Sequence, residues 1–359
     1  MRLDRRDDRG NIMILFAFIV LATFGVGTLM VDAGTVLTEG RQLQNGAENA
    51  ALVVAGTCAE GACVTTAGNE TANDNAIDGA TQVETVCGTG PGLTDCSTSG
   101  QRAHFGCGPV PSGATPPKYA QVHTRAKKAD GSPKLQGFMV RLMDPFMTPD
   151  HTGTEVRTCA RAAYGRPAGL TGELPLAISE CEFNYWVNLF GLVNEPFNGT
   201  GEAVLYFHET GGNGPSNCPS RAGSNQDGPG GFGWLTTNGT CAIATTTDGN
   251  GIEKPGNSVP NDCDAAAFLA MLNQPVHIPI FTRVDSNVYD IVNYASFHLT
   301  GYQVSGGPAY TRKSPTQPAS WCASSARCIS GYFTLDTTTT SGPLVGGTSY
   351  GAVAIRLVG

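Results

Sequence analysis

The sequence predicts an α+β protein. An N-terminal transmembrane helix continues into an amphipathic stalk helix, and a β-rich, disulfide-stapled extracytoplasmic domain follows. Three observations carry that class. Ile12 to Val31 contains no charged residue. The 12 cysteines are dispersed along the chain, with no C-x2-C pair among them. After about residue 170, short aromatic and β-branched runs alternate with Gly, Pro, Asn and Asp clusters, the pattern of strands and turns.

The apolar run comes first. About 20 helical residues at 1.5 Å each span about 30 Å, the thickness of the hydrocarbon layer. Roughly a dozen Ile, Leu, Phe or Val side chains, at about −0.3 to −0.6 kcal/mol each, outweigh the threonines and glycines between them. A secretory h-region is shorter, about 7–15 residues, and ends in a small-x-small cleavage site. This run instead passes through Val31-Asp32-Ala33-Gly34 without losing helical character, which predicts a retained anchor. Arg2, Arg5, Arg6 and Arg9 precede it, and Arg41 is the first basic residue after it. The positive-inside rule therefore predicts a single-pass cell-membrane protein with a cytoplasmic N-terminus. Thr23 and Gly27 form a small-xxx-small pair, a possible face for self-association through this helix.

The cysteines agree with that orientation, because dispersed thiols form disulfides in an oxidising compartment. Structural zinc wants closely paired thiols, so no metal or other cofactor is expected. Cys58 with Cys63 and Cys322 with Cys328 are the tightest spacings and are the disulfide candidates. The other eight leave 105 connectivities open. A net charge of −8 argues against a nucleic-acid partner, which needs a basic surface. Charged residues make up 14% of the chain, with 47 Gly and 22 Pro. That charged share is well under the roughly 25% of a typical soluble domain.

Beyond the membrane, Leu43, Ala47, Ala50, Ala51 and Val54 recur at three- and four-residue intervals. This marks one helical face, built of small residues that let a neighbour approach closely. Gly56 is the expected stop. In the same stretch, Arg9-Gly10-Asn11 precedes the apolar helix and Val31-Asp32-Ala33-Gly34 follows it. Then comes Arg41-Gln42-Leu43-Gln44-Asn45-Gly46-Ala47-Glu48-Asn49-Ala50-Ala51-Leu52. This resembles the N-terminal module of the TadE/TadG-like proteins of Flp (Tad) pilus assembly, with an RG start, an apolar helix, D-x-G and an RQLQN-type continuation. Gly10, Asp32, Arg41, Leu43, Gln44, Ala47, Ala50 and Ala51 carry the motif, while Gly46, Glu48 and Asn49 depart from it. Later segments, among them Tyr164-Gly165-Arg166-Pro167, Leu174 to Cys181, Ser296 to Tyr302 and the C-terminal tail, are similar to a TadG-related subgroup. No von Willebrand A domain is expected. Asp95-Cys96-Ser97-Thr98-Ser99 fits the metal motif of that domain but lies in a Gly-rich stretch rather than after a buried strand.

The expected organisation is a cytoplasmic basic segment over 1–11, the transmembrane helix over 12–31 and the stalk over 32–56. A Cys/Gly-rich loop region follows over 57–117, a small α/β segment over 118–170 and the β-rich domain over 171–359. Within it, Tyr119–Lys127 and Glu155–Tyr164 read as strands, the latter leading into a turn at Gly165-Arg166-Pro167. Gln136–Met147 reads as a short helix or a partly buried strand. Later strands are expected over Leu174–Ile178, Phe183–Val187, Ala203–Phe207, Val276–Val284, Tyr289–Val304, Ile329–Leu335 and Ala352–Val358. One late helix is expected over Asp264–Leu272, capped by Asn261 or Asp262.

Catalytic motifs are weak. Gly347-Thr348-Ser349-Tyr350-Gly351 has the spacing of a nucleophile elbow, but that motif needs a following helix, and a strand pattern follows here. Asp248-Gly249-Asn250-Gly251 lacks the alternating ligands and terminal Glu of a calcium loop. The 6 histidines form no local cluster. The expectation is a non-enzymatic, membrane-anchored accessory protein of Flp/Tad pilus assembly or a related surface protein. Its expected partners are other pilus-assembly membrane proteins or pilin. The alternative is a membrane-tethered ligand-binding domain or enzyme using the long Gly/Asn loops. Gly10 stands where prepilin leaders are cut. The fifth residue after it is Leu15 rather than the Glu that usually accompanies such processing, so an unprocessed N-terminus is expected.

Overall fold

A computed structural model describes residues 8–76, 81–96, 107, 109–127, 134–135, 154–168, 170, 174–192, 201–206, 232–243, 251–252, 258–285, 288–305, 307–318, 321–322, 327–338, 343–347 and 349–358. The Gln136–Met147 segment lies outside them, as do 97–99 and 248–250 of the two metal-like patterns. The chain is α+β and forms two compact units. One comprises Met1–Val110, Tyr119–Ala162 and Leu357–Gly359, and the other Pro111–Lys118 and Ala163–Arg356.

The first unit is built on α1, Asp8–Ala59. This single helix of 52 residues runs three residues past Gly56, the expected stop. Gly56 lies within the helix rather than at its end, because the Cys58–Cys63 bridge and the bond from Glu60 N to Gly56 O hold the last turn. The stretch expected to be loop contains helix α2, Thr65–Asp74, and strand β1, Thr81–Gly88. Strand β2, Lys118–Ala126, pairs antiparallel with β1 from Thr81↔Ala126 to Gly88↔Ala120. Two short strands, β3 (Lys134–Leu135) and β4 (Thr154–Glu155), form a separate pair. Beside β2 lies β5, Arg157–Pro167, whose later residues belong to the second unit. The Gly165-Arg166-Pro167 segment is therefore strand, not turn. Its register with β15, Leu344–Val345, sets Pro167 against Leu344 and Arg166 against Val345. A Cβ at Gly165 would stand 2.6 Å from Val345 O, a contact only glycine permits.

The second unit is centred on an 8-stranded sheet. Its strands are β6 (Leu176–Ser179), β7 (Ala203–Tyr206), β8 (Phe232–Trp234), β9 (Gly251–Ile252), β10 (Pro275–Asp285), β11 (Val288–Gln303), β12 (Thr311–Arg312) and β13 (Cys328–Thr334). The path is β7-β13-β11-β10-β6-β8, with β9 and β12 pairing β11. The long β10–β11 hairpin dominates, in register from Pro275↔His298 to Asp285↔Val288. Among the described residues, only the β10–β6 pair in this sheet is parallel, with Ile280 opposite Ile178. Two further strands, β14 (Asp336–Thr338) and β16 (Ala352–Leu357), pair parallel.

The core of this unit packs Leu176, Ile178, Ile278, Ile280, Phe297 and Phe333 of the strands against Phe183, Trp186 and Phe268 of two helices. Phe183 and Trp186 lie on α3, Glu180–Phe190, where the sequence reading placed a strand. The helix wins for identifiable reasons. Ser179 caps it, its hydroxyl accepting from Glu182 N at 3.1 Å, and acidic Glu180 and Glu182 occupy the first turn, which suits the N-terminal end of the dipole. Phe183 and Trp186 are buried and partly buried Val187 packs on the same cluster, a helical spacing rather than an alternating one. Helix α4, Ala265–Met271, is capped by Asp264, not by Asn261 or Asp262; its Oδ1 accepts from Ala267 N at 2.8 Å.

Candidate functional site

α1 divides into two halves with opposite surroundings. From Ile12 to Val31 its large apolar side chains point into open space; Leu15, Leu21 and Phe24 are 63%, 70% and 70% exposed. Exposure on that scale is far beyond scattered surface apolar residues, and the helix is long and apolar enough to cross a membrane. Its two threonines are satisfied within the helix. Thr23 Oγ1 donates to Ile19 O and Thr28 Oγ1 to Phe24 O, at 2.9 and 3.0 Å, so neither presents an unbonded donor to hydrocarbon.

From Leu43 onward one face of the helix is buried within its own unit. Leu43, Ala47, Ala50, Ala51, Val54, Ala55 and Cys58 are all at most 3% exposed. The close neighbour that the small-residue face implied is α2 of the same chain. A Cβ on Gly68 of α2 would stand 2.9 Å from Val54 Cγ2, and one on Gly46 would stand 3.1 Å from Ala72 O. The Cys58–Cys63 bridge closes this helical hairpin, and Asn49 Nδ2 donates to Asn75 Oδ1 at 3.0 Å.

The other side of the stalk meets β2 and β5 through polar groups. Leu43 O accepts from Thr124 Oγ1 at 3.3 Å, and Thr124 bonds Thr158 at 2.8 Å. Gln44 Nε2 donates to Glu48 Oε1 at 2.8 Å and to Cys159 O at 3.4 Å. Farther along, buried Arg161 donates through Nε to Gln121 Oε1 at 2.9 Å and lies 5.0 Å from the centroid of the Tyr119 ring. Burial lowers its pKa, and Tyr119 acts the other way. The motif residues thus separate by role. Leu43, Ala47, Ala50 and Ala51 pack the unit's core, Gln44 ties the helix to β5, and Arg41 is exposed. Asp32 is half-buried at the end of the apolar run, its carbonyl accepting from Thr35 Oγ1 at 2.8 Å. Gly10 lies in the first turn of α1.

Cys107, Cys159 and buried His123 bring three ligand-type atoms within 4.8 Å of one another. Spacing in the sequence did not group them. The two sulfurs are joined as a disulfide, so they offer no thiolate to a metal, and the cluster is a bridge lying beside an imidazole. Further bridges join Cys87 to Cys96, Cys241 to Cys263 and Cys322 to Cys328. Cys181 is also disulfide-bonded.

The motif-like segments of the second unit read as architecture. Ser349 accepts from Gly351 N at 3.2 Å, and strand β16 rather than a helix follows. Tyr350 donates to Glu180 at the start of α3. Burial, followed by Glu180, pushes the Tyr350 hydroxyl up to about 12. Tyr164 is likewise raised to about 12, by burial. His298 stacks on Tyr332 with centroids 4.8 Å apart. His208 and Glu209 lie outside the described residues.

Residues 10–57 match the family described as putative Flp pilus-assembly TadE/G-like. No curated protein and no solved structure matches the chain. The matched segment begins and ends almost with α1, and so includes both its exposed apolar half and its buried half.

Proposed function

We propose that this protein is a membrane-anchored accessory component of Flp/Tad pilus assembly that works by protein–protein contacts rather than catalysis. One observation carries the reading: the TadE/G-like segment coincides with a helix that is exposed and apolar at one end and forms the core of a folded unit at the other. That is the construction of an anchor joined to its domain without a flexible linker. In this reading the N-terminus is cytoplasmic, both compact units lie outside the cytoplasm, and the partners are pilus-assembly membrane proteins or pilin. Any self-association of the membrane helix is assigned to the face of Thr23 and Gly27. The N-terminus stays unprocessed, since a cleaved Asn11 amine would lack a neighbouring carboxylate within an apolar bundle.

Deletion of the gene tests the reading. Sheared filaments should fall to background and return on complementation with the full chain, while pilin remains present in the cells. Normal piliation in the deletion strain contradicts the assignment. Sequencing the mature N-terminus separates an accessory from a subunit: a chain beginning at Asn11 and abundant in filaments makes it pilin-like.

A further inference from the structure

We propose that Cys107, Cys159 and His123 form a zinc site when the bridge between the two cysteines is reduced, so that bridge and ion are alternative ties at one place in the first unit.

The strands bring the ligands together. His123 lies on β2 and Cys159 on β5, and these strands are neighbours in one sheet. His123 and Cys159 are buried, and Cys107 is half-buried. The two cysteine Cα atoms are 4.8 Å apart, so both thiols remain at one spot after reduction. Their sulfurs and a ring nitrogen of His123 lie within 4.8 Å of one another. His123 Nε2 is 3.7 Å from Cys159 Sγ. A tetrahedral zinc, with bonds of about 2.3 Å to sulfur and about 2.0 Å to nitrogen, sets two such atoms about 3.6 Å apart. That edge of the site is therefore already built. Two thiolates on one zinc stand about 3.8 Å apart, against about 2 Å in a bridge. The sulfurs must separate by roughly 2 Å, a movement that rotation of the half-buried Cys107 side chain supplies.

The imidazole is held in the state a metal needs. Arg161 donates through Nε and Nη2 to Gln121 Oε1. This turns the Gln121 amide nitrogen toward His123, 2.6 Å from Nε2. An amide NH2 only donates, so His123 Nε2 is the acceptor and carries an unprotonated lone pair beside the sulfurs. Zinc takes that lone pair in place of the Gln121 N–H. Gln121 and Arg161 are positioning residues here, orienting the ligand as outer partners of metal-bound histidines do. Arg161 also shares a face of β5 with Cys159, two residues away, and a neighbouring cation favours thiolate over thiol. Two thiolates, a neutral imidazole and Zn2+ sum to zero, so the occupied site adds no net buried charge.

The redox step balances with a dithiol as reductant. Its two S–H groups become a disulfide, and the Cys107–Cys159 bond takes up the two electrons and two protons. Zinc then displaces those two protons. The three protein ligands leave a fourth position to water on the Cys107 side. In the reduced chain the ion ties the segment at Cys107 to β5, the strand that Gln44 of the stalk bonds.

The test uses the full chain in detergent, reduced with a dithiol that is then removed under argon. Iodoacetamide labelling of Cys107 is read by mass spectrometry with and without added zinc, and far-UV circular dichroism follows the fold. Saturating zinc is expected to slow the labelling about tenfold or more, and a chelator to restore it. His123→Asn and, independently, His123→Gln keep a polar group against Gln121 and are expected to lose most of that protection. Cys58→Ala/Cys63→Ala should retain it. Labelling of Cys107 that ignores zinc overturns the site. Equal protection in the His123 variants overturns it too, since two thiolates would then bind without the imidazole. Loss of the fold on reduction that zinc does not reverse is the third contrary result, because the site needs β2 and β5 side by side.

Discussion

Replacing Cys107 and Cys159 together by Ala is expected to destabilise the first unit by about 4 kcal/mol, the chain-entropy value for a bridge spanning 52 residues. The Cys58→Ala/Cys63→Ala pair, with a sequence separation of 5, should cost about 2 kcal/mol on the same basis. The larger figure comes from the longer loop, and the bridge also holds a packed strand in the folded unit. Cys159 is buried on β5 and its own carbonyl accepts from Gln44 of the stalk, so the bridge pins the strand against which α1 packs. Denaturant unfolding of the detergent-solubilised protein, followed by tryptophan-independent far-UV signal, reads both variants. Equal losses for the two bridges would show that loop closure does not set their contributions. A loss near 4 kcal/mol is a large fraction of a typical domain's margin of about 5–15 kcal/mol, so the double variant should also be less well recovered from cells.

The second large effect concerns the anchor. Phe18→Arg with Leu21→Arg places two charges near the middle of the apolar run. Each costs about 2.5–3.5 kcal/mol and removes a favourable Phe or Leu, a combined swing of roughly 6–8 kcal/mol. The run gains only about 4–7 kcal/mol from its large apolar side chains, so the balance reverses. The double variant is expected to leave the membrane fraction, whereas Phe18→Leu with Leu21→Phe should remain. Retention of the arginine variant in carbonate-washed membranes would mean that something other than this helix holds the chain. The same variant should abolish filament assembly if anchoring is what the protein contributes to it.

Legibility of these features in the sequence differed by physical cause. The exposed apolar half of α1 is legible because about twenty residues without a charge mark a helix long enough to cross a bilayer. Periodicity in the stalk revealed that Leu43, Ala47, Ala50 and Ala51 share a face, but not what covers it. The structure supplies α2 and two strands of the same chain, so the residues that carry the family resemblance are largely core residues. Phe183–Val187, a strand by its aromatic content, is helix by its spacing, and Ser179 followed by acidic residues is a readable start signal for it. Cys107–Cys159 was out of reach in principle, since non-local pairings cannot be deduced from spacing.

The most direct test of the account is alkaline carbonate extraction of membranes carrying the full chain, paired with protease added from outside after any outer barrier is permeabilised. The account predicts that the intact protein stays in the pellet, and that protease leaves only a short N-terminal fragment ending near residue 35. Complete release of the chain by carbonate, or full protection of both units from external protease, would contradict it.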